Sequence, residues 1–265
     1  MKNINRESLD KLYNHFNKTK YISPDPLQFL EKFETPEDME IGGLIAGGFA
    51  YGRVAAIIKN LESIFSITSF NIKDFILSHS DKDIHKLFID FKYRFTTSQE
   101  LVSLLMGMRT LIKNNGSLKN SLLQHLSSND KTIHKAMGLF VSDLLQGGSS
   151  IKNSLLPDPR GTSAVKRLNL YLRWMIRKDN VDPGPWSDID PSLLIIPLDT
   201  HMYHFARSYG FTEKKGAGIK TALEITDKFK EINPEDPVKY DFALTRFGIK
   251  AELSWEDFDE MIKKV

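Results

Sequence analysis

The spacing of its apolar residues restricts the folds open to this chain more than any other feature, because they recur every three or four positions along most of its length. Capping patterns mark where such segments begin. Thr35-Pro36-Glu37-Asp38 combines a cap, a proline at the first helical position and acids in the first turn. Thr97-Ser98-Gln99-Glu100 precedes a segment that ends at Gly116, and the one run typical of a strand, residues 193–196, stands alone. We therefore predict an all-α fold of about a dozen helices.

Composition excludes several classes of protein and site. A chain of 265 residues, of which 41% are hydrophobic, can bury a large core. It has no cysteine, so disulfides, zinc–thiolate sites and iron–sulfur clusters are excluded. No run of about eighteen apolar residues predicts a membrane span, and the polar residues 1–16 lack the apolar centre of a signal peptide. We expect a cytoplasmic monomer that needs no metal or other cofactor.

Positive charge is concentrated in one segment of a chain whose net charge is only +2. Six basic residues and no acidic one lie within residues 160–178. At helical spacing, Lys166, Arg173 and Arg177 form a stripe beside an apolar stripe, so the helix would pack one face and offer the other to an anion. Its start, at residues 161–163, would present free backbone N–H groups to a phosphate. A solvated basic face on an ordinary helix is the alternative.

Two short motifs resemble the helix-hairpin-helix superfamily of DNA glycosylases. The first is Leu156-Pro157 with Ser163-Ala164 at the start of an apolar helix, in the place of that family's LPGVGxKTA hairpin. The second is Pro197-Leu198-Asp199-Thr200-His201, which follows an apolar run and opens a helix, like the family's (V)DTHVxR segment. The resemblance extends over about residues 41–249, and the chain looks like a member of a cysteine-free bacterial branch of the superfamily.

The resemblance implies a two-lobed helical fold with an irregular helix-hairpin-helix motif. One lobe would comprise residues 36–190 and carry the hairpin and Lys166. The other would comprise residues 1–35 together with 191–265 and carry Asp199. We expect the two side chains to face one another across a DNA-binding cleft between the lobes.

The hairpin departs from the family pattern. Asp158 and Arg160 stand where the family has glycines, and Thr162 falls in the slot of the catalytic lysine, with Lys166 one turn later. The interval from Lys166 to Asp199 is 33 residues, longer than in most members, and in this respect the chain is closest to the archaeal 8-oxoguanine DNA glycosylases. Lys166 and Thr162 are therefore both candidates for the nucleophile slot.

The activity that the resemblance implies is base-excision repair of double-stranded DNA containing a damaged base. Lys166 would attack the sugar of a flipped-out nucleotide, and Asp199 would stabilise the positive charge that builds on the sugar. Because the nucleophile is an amine, the enzyme would have lyase activity as well. Contacts with DNA are expected from the hairpin side, from the far lip of the cleft and from the second motif. These residues are Arg160, Gly161, Thr162, Ser163, Arg167 and Arg173; Tyr51 and Arg53; and His201.

Two other functions are compatible with the same residues. A DNA-structure-binding module of this fold would bind the DNA phosphates and catalyse no reaction. A metal-dependent hydrolase would use Asp199, His201 and His204, since residues 201 and 204 share a helix face, although the zinc signature HExxH is absent. Asp199 is also well placed to cap the helix that follows it.

Overall fold

Helices account for nearly all of the regular structure in the computed structural model, which describes residues 4–249 and Phe258. The prediction of an all-α fold is confirmed. Among the described residues, no helix combines the length and the apolar character needed to cross a membrane. Short 3₁₀ turns cover Thr19–Tyr21, Pro26–Lys32 and Pro191–Leu193. The α-helices are Arg6–Phe16 (α1), Pro36–Gly48 (α2), Val54–Ile67 (α3), Ile72–Ser78 (α4), Asp81–Leu87 (α5), Ser98–Asn115 (α6), Leu118–Leu123 (α7), His134–Gly147 (α8), Lys166–Ile176 (α9), Thr200–Ser208 (α10), Ile219–Ile232 (α11) and Asp241–Ile249 (α12).

One small β-hairpin interrupts the helices and is absent from the sequence prediction. Strands Lys92–Tyr93 (β1) and Thr96–Thr97 (β2) pair in antiparallel fashion. Arg94 and Phe95 form the two-residue tip, and Arg94 takes a left-handed φ of +51°. Tight hairpin turns favour such positive φ values because their twist matches that of the flanking strands. Strands of two residues are too short for an alternating pattern to reveal them.

The two predicted capping patterns start helices as expected. The Thr35 side chain accepts a hydrogen bond from the Asp38 backbone N–H at 3.0 Å and begins α2. Thr97 and Glu100 form a reciprocal capping box at the start of α6, and Gly116 ends that helix in the left-handed conformation, with φ of +83°. These ends depend on residues within one turn of the terminus, so the sequence alone identifies them.

Two glycines allow α2 to lie directly on α9, the helix that carries Lys166. A Cβ atom on Gly43 would lie 2.7 Å from the terminal methyl of Met175, and one on Gly47 would lie 3.1 Å from the backbone oxygen of Arg167. A Cβ at position 47 would press on the backbone of α9, whereas one at position 43 would require the flexible end of Met175 to move. The small residues of α2 therefore set the position of α9.

Helices from distant parts of the sequence pack together. α10 packs on α12, and α12 also packs on α1, which brings the two ends of the described chain into one group. α6 packs on α7 and α8, and α2 packs on α9 and α4. The 3₁₀ turn Pro26–Lys32 packs on α2 and α3.

The connection between α8 and α9 covers residues 148–165 and does not extend α9 toward its N-terminus. α9 begins at Lys166, so the expectation that the helix starts at residues 161–163 is wrong. Val165 precedes it in the left-handed conformation, with φ of +42°. Left-handed backbone is unusual for a β-branched residue and costs roughly 1–3 kcal/mol, which the surrounding structure has to offset. Ser163 forms a single bridge with Gly218 instead of a helical turn.

Two of the three basic residues predicted to form an exposed stripe lie inside the protein. Arg173 and Arg177 are 2% and 4% exposed. The expected phosphate contact by Arg173 is wrong, because its guanidinium is buried against two carboxylates of the protein itself. The sequence pattern cannot reveal these partners, since two of them lie about sixty residues further on. The carboxylates are Asp182 and Asp241 for Arg173, and Asp179, Asp182 and Asp236 for Arg177.

Candidate functional site

A cavity of about 330 Å³ opens where the first turns of α9, α10 and α12 meet the turn between α2 and α3. This volume lies at the lower end of the range that small-molecule sites occupy. Its wall mixes apolar and charged side chains, and its polar members include Tyr51, Lys166, Asp199, His201, Asp241 and Arg246. The cavity therefore brings together the start of α9, which follows the first motif, and Asp199, Thr200 and His201 of the second motif.

Lys166 and Asp199 lie together in this cavity. The Lys166 Nζ atom is 3.7 Å from Asp199 Oδ2, and the two side chains are 33% and 16% exposed. The amine and the carboxylate are close enough to attract one another, yet the distance exceeds that of a hydrogen bond. These two side chains were predicted to face one another, and the fold brings them to the same cavity.

Asp199 is held by the end of the helix that it caps. Its Oδ1 atom accepts a hydrogen bond from the Met202 backbone N–H at 2.8 Å, and its own carbonyl accepts one from the Tyr203 N–H at 2.9 Å. The predicted N-cap is thus present. Because Oδ1 serves the cap, Oδ2 is the oxygen that faces Lys166, and the carboxylate cannot rotate freely.

Thr162, the other candidate for the nucleophile slot, lies outside the cavity. Arg160, Gly161, Thr162 and Ser163 are all exposed, and none of them lines the cavity. The Thr162 carbonyl accepts a hydrogen bond from the Ile219 N–H at 3.0 Å. Arg160 makes an exposed ion pair with Asp158 at 2.9 Å. Of the two candidates, only Lys166 is near the carboxylate of Asp199.

Arg167 and Tyr51 form one lip of the cavity. The Arg167 guanidinium lies 4.9 Å from the centre of the Tyr51 ring, and its Nη1 atom donates to the Gly48 carbonyl at 2.6 Å. Burial lowers the pKa of this guanidinium. Arg167 therefore braces the lip from the side of α9. Arg53 is exposed on the same turn and does not line the cavity.

The β-hairpin is joined to this lip. The Tyr51 hydroxyl shares a hydrogen bond of 2.7 Å with Thr96 Oγ1, and the Tyr93 hydroxyl donates to the Tyr51 carbonyl. The Arg94 guanidinium lies 5.9 Å from the Tyr51 ring and 5.7 Å from the Phe95 ring. Phe95 is 77% exposed. An exposed aromatic and a cation thus stand beside the cavity mouth.

Asp241 and Arg246, which both line the cavity, were not predicted from the sequence. Burial raises the pKa of the Asp241 carboxyl to about 6; the charge of Arg173 opposes this shift and that of Asp199 adds to it. Residues 241 and 245 are polar positions one turn apart in the apolar helix α12. That spacing is the signal in the sequence that points to this face of α12.

The residues proposed for a metal-dependent hydrolase do not form a metal site. Within residues 4–249, no group of three or more His, Asp or Glu side chains is placed to hold a metal ion. His201 lines the cavity, whereas His204 is exposed on another part of α10. The metal-dependent hydrolase interpretation therefore lacks the metal ligands that it requires.

Comparison with protein families gives one match. Residues 25–250 match the model of a family described as "Protein of unknown function (DUF2400)". This span contains Lys166, Asp199 and Asp241. No curated protein and no solved structure matches the chain.

Proposed function

This chain belongs to the family of proteins of unknown function DUF2400, and we propose that it is a DNA glycosylase that removes a damaged base from double-stranded DNA. The observation that carries the proposal is the pairing of Lys166 and Asp199, 3.7 Å apart in one cavity, from two motifs 33 residues apart. An amine and a fixed carboxylate are the two groups that cleavage of an N-glycosidic bond with a covalent intermediate requires.

In the proposed reaction the Lys166 amine attacks the anomeric carbon of a flipped-out nucleotide. The new bond joins Nζ to C1′, and the bond from C1′ to the base breaks with its electron pair passing to the base. The proton lost by the lysine nitrogen ends on the departing base. Positive charge builds on the sugar as the bond breaks, and the Asp199 carboxylate stabilises it. The C1′–O4′ bond of the sugar then breaks, and its electron pair and the second proton of the lysine nitrogen pass to O4′. The imine left at C1′ allows strand cleavage by elimination, which is the lyase activity.

The wider architecture of the proposal is the two-lobed glycosylase-like fold with an irregular helix-hairpin-helix motif. Residues 36–190 would form one lobe and residues 1–35 with 191–265 the other, with the cavity between them. In support, α9 packs on α2, whereas α10 packs on α12 and α12 on α1. The protein would act as a cytoplasmic monomer, with no metal or cluster.

Contact with the DNA backbone is assigned to exposed groups around the cavity. Arg160, residues 161–163 and Arg53 are exposed and lie outside the cavity, which suits phosphate contacts. His201 lines the cavity on the α10 side. Phosphate contacts position DNA without reading its sequence, so binding should weaken as salt is raised.

A catalytically inactive DNA-binding module is the second candidate. The observation that favours it is that both groups already have structural roles, because Asp199 caps α10 and Lys166 forms an ion pair with it. The two candidates share the fold and the DNA partner. They differ in whether Lys166 forms a covalent adduct.

Borohydride trapping distinguishes the two candidates. The purified chain is incubated with duplexes that carry 8-oxoguanine, uracil, an alkylated base or an abasic site, and borohydride then reduces any imine to a stable adduct. We expect a trapped adduct that Lys166→Ala abolishes. Lys220→Ala is the matched control, since Lys220 is an exposed lysine in the first turn of α11 that does not line the cavity. Binding of DNA with no adduct and no released base supports the inactive module instead.

A further inference from the structure

A shallow groove runs along α5, between the end of α3 and the β-hairpin. It consists of two adjoining depressions, of about 350 and 640 Å³, that share the wall residues Lys86, Ile89, Phe91 and Lys92. None of its wall residues lines the cavity that holds Lys166. This α5 groove is therefore a separate surface of the protein.

The register of the β-hairpin shows which way the groove faces. Lys92 pairs with Thr97 and both are exposed, whereas Tyr93 pairs with Thr96 and both are buried and bonded to Tyr51. Paired residues of an antiparallel hairpin point to the same face, and successive pairs alternate. Lys92 and Thr97 line the groove, so the groove lies on the face of the hairpin opposite to the cavity lip.

The floor of the α5 groove is apolar and uncovered. Ile67, Leu87 and Ile89 line it and are 38%, 47% and 69% exposed. They are half of the six large apolar side chains that are exposed in the part of the chain that the structure describes. Apolar side chains exposed singly are ordinary, whereas several in one groove, with polar residues at its edge, indicate a surface for another molecule.

The edge of the groove is positively charged. Lys82, Lys86 and Lys92 line it, and Asp90 is the one acidic residue among its wall residues. Within residues 4–249, none of the three lysines forms an ion pair. The apolar floor is thus bordered by positive charge that the protein itself leaves largely unneutralised.

Both acids of α5 already have partners at the start of that helix. Asp81 forms an ion pair with Arg109. Asp83 accepts a hydrogen bond from Ser80 Oγ at 2.6 Å and its backbone N–H donates to the same atom. Neither carboxylate is free to turn toward the lysines without giving up these contacts.

We propose that the α5 groove binds an acidic segment of a protein partner, whose apolar side chains cover Ile67, Leu87 and Ile89 and whose carboxylates pair with the lysines. Both features of the groove decide this choice. DNA would neutralise the lysines, but its sugar–phosphate backbone would leave the apolar floor in water. A neutral apolar partner would leave the positive edge without complementary charge. The groove lies apart from the cavity, so this inference does not rest on the proposed glycosylase function.

The test selects binders of the full chain from a phage-displayed library of random 12-residue peptides. The most enriched peptides are then synthesised with a fluorescent label, and their affinities are measured by anisotropy. Ile89→Ser removes part of the apolar floor, and Lys86→Glu reverses a charge at the edge. The matched controls are Ile151→Ser and Lys152→Glu, because both residues are exposed and lie outside the groove. Thermal unfolding shows that all four variants are folded.

We expect the enriched peptides to be acidic and to carry at least two apolar residues. Ile89→Ser should weaken their binding by roughly tenfold, and Lys86→Glu by roughly threefold to tenfold, the second effect shrinking as salt is raised. The two controls should leave binding unchanged.

Several results would overturn the inference. Among them are a selection that enriches no peptide, enriched peptides that are neutral or basic, and enriched peptides that bind Ile89→Ser as tightly as the wild type. Undamaged duplex DNA whose binding is weakened by Lys86→Glu and not by Ile89→Ser would make the groove a phosphate contact. Self-association of the wild type in sedimentation, abolished by Ile89→Ser, would assign the groove to a second copy of the chain. None of these results depends on borohydride trapping, so they leave the proposed function to its own test.

Discussion

Removing the Asp182 carboxylate should destabilise the protein more than the loss of any exposed ion pair. Asp182 is fully buried, and its Oδ1 atom accepts hydrogen bonds from Arg173 Nε at 3.1 Å and from Arg173 Nη2 at 3.0 Å. Its Oδ2 atom accepts a hydrogen bond from Arg177. The carboxylate therefore holds α9 to the segment that follows it, directly beneath the cavity.

The size of the effect follows from the burial of the two arginines. In Asp182→Ala, guanidinium groups that are 3% and 5% exposed lose a shared counter-charge and cannot reach water. Breaking a buried ion pair by removing one partner costs about 3–5 kcal/mol, a large part of the roughly 5–15 kcal/mol that stabilises a domain. At about 2–4 °C per kcal/mol for a protein of this size, the Tm should fall by roughly 6–20 °C.

Asp188→Ala is the control for this measurement. Asp188 is 65% exposed and pairs with Lys119 at 2.5 Å, so its removal should cost about 0–1 kcal/mol despite the short distance. Thermal unfolding followed by circular dichroism, with both variants in the same buffer, gives the comparison. If the Tm of Asp182→Ala falls no further than that of Asp188→Ala, the buried arginines do not depend on Asp182 and the reasoning is refuted.

Two further predictions concern the carboxylates of the cavity. Asp199→Asn should change the free energy of unfolding by less than about 1 kcal/mol, because asparagine is an equally good N-cap, while single-turnover base release falls by about 100-fold or more. Normal release in the variant would remove Asp199 from the proposed mechanism. The second prediction concerns pH: because burial raises the pKa of Asp241 from 3.8 to about 6, the folded state binds this proton more tightly than the unfolded state. The free energy of unfolding should therefore fall by up to about 3 kcal/mol as the pH rises from about 4 to 6. Urea denaturation of Asp241→Asn across the same pH range should lack this decrease. Equal dependence of the unfolding free energy on pH in the two proteins would contradict the prediction.

The parts of this fold that the sequence predicts are those set by neighbouring residues. The helix starts at Thr35 and Thr97, the left-handed end at Gly116 and the cap at Asp199 each involve residues three or four apart. The β-hairpin was not predicted because its strands are only two residues long. The start of α9 was placed too early because a left-handed Val165 is not a conformation that a β-branched residue favours.

The parts of the site that the sequence leaves hidden depend on partners far along the chain. Arg173 and Lys166 look alike in the basic segment, yet Arg173 is buried against Asp241, 68 residues later, while Lys166 reaches the cavity. No local pattern distinguishes a basic residue that meets a buried acid from one that meets solvent. The pairing of Lys166 with Asp199 was predicted from the two motifs. The periodicity of apolar residues does not determine where either side chain lies.

The bonds that join Tyr51 to the β-hairpin turn the hairpin tip and the cavity mouth into a single rigid unit. Gly52 tightens this junction, because its φ is +97° and a Cβ there would lie 2.7 Å from the Tyr93 hydroxyl. The distance from Phe95 to Lys166 is consequently set by the protein and not by whatever binds it. Any partner that contacts both the exposed Phe95 ring and the Lys166 amine must therefore span a separation that the fold sets in advance.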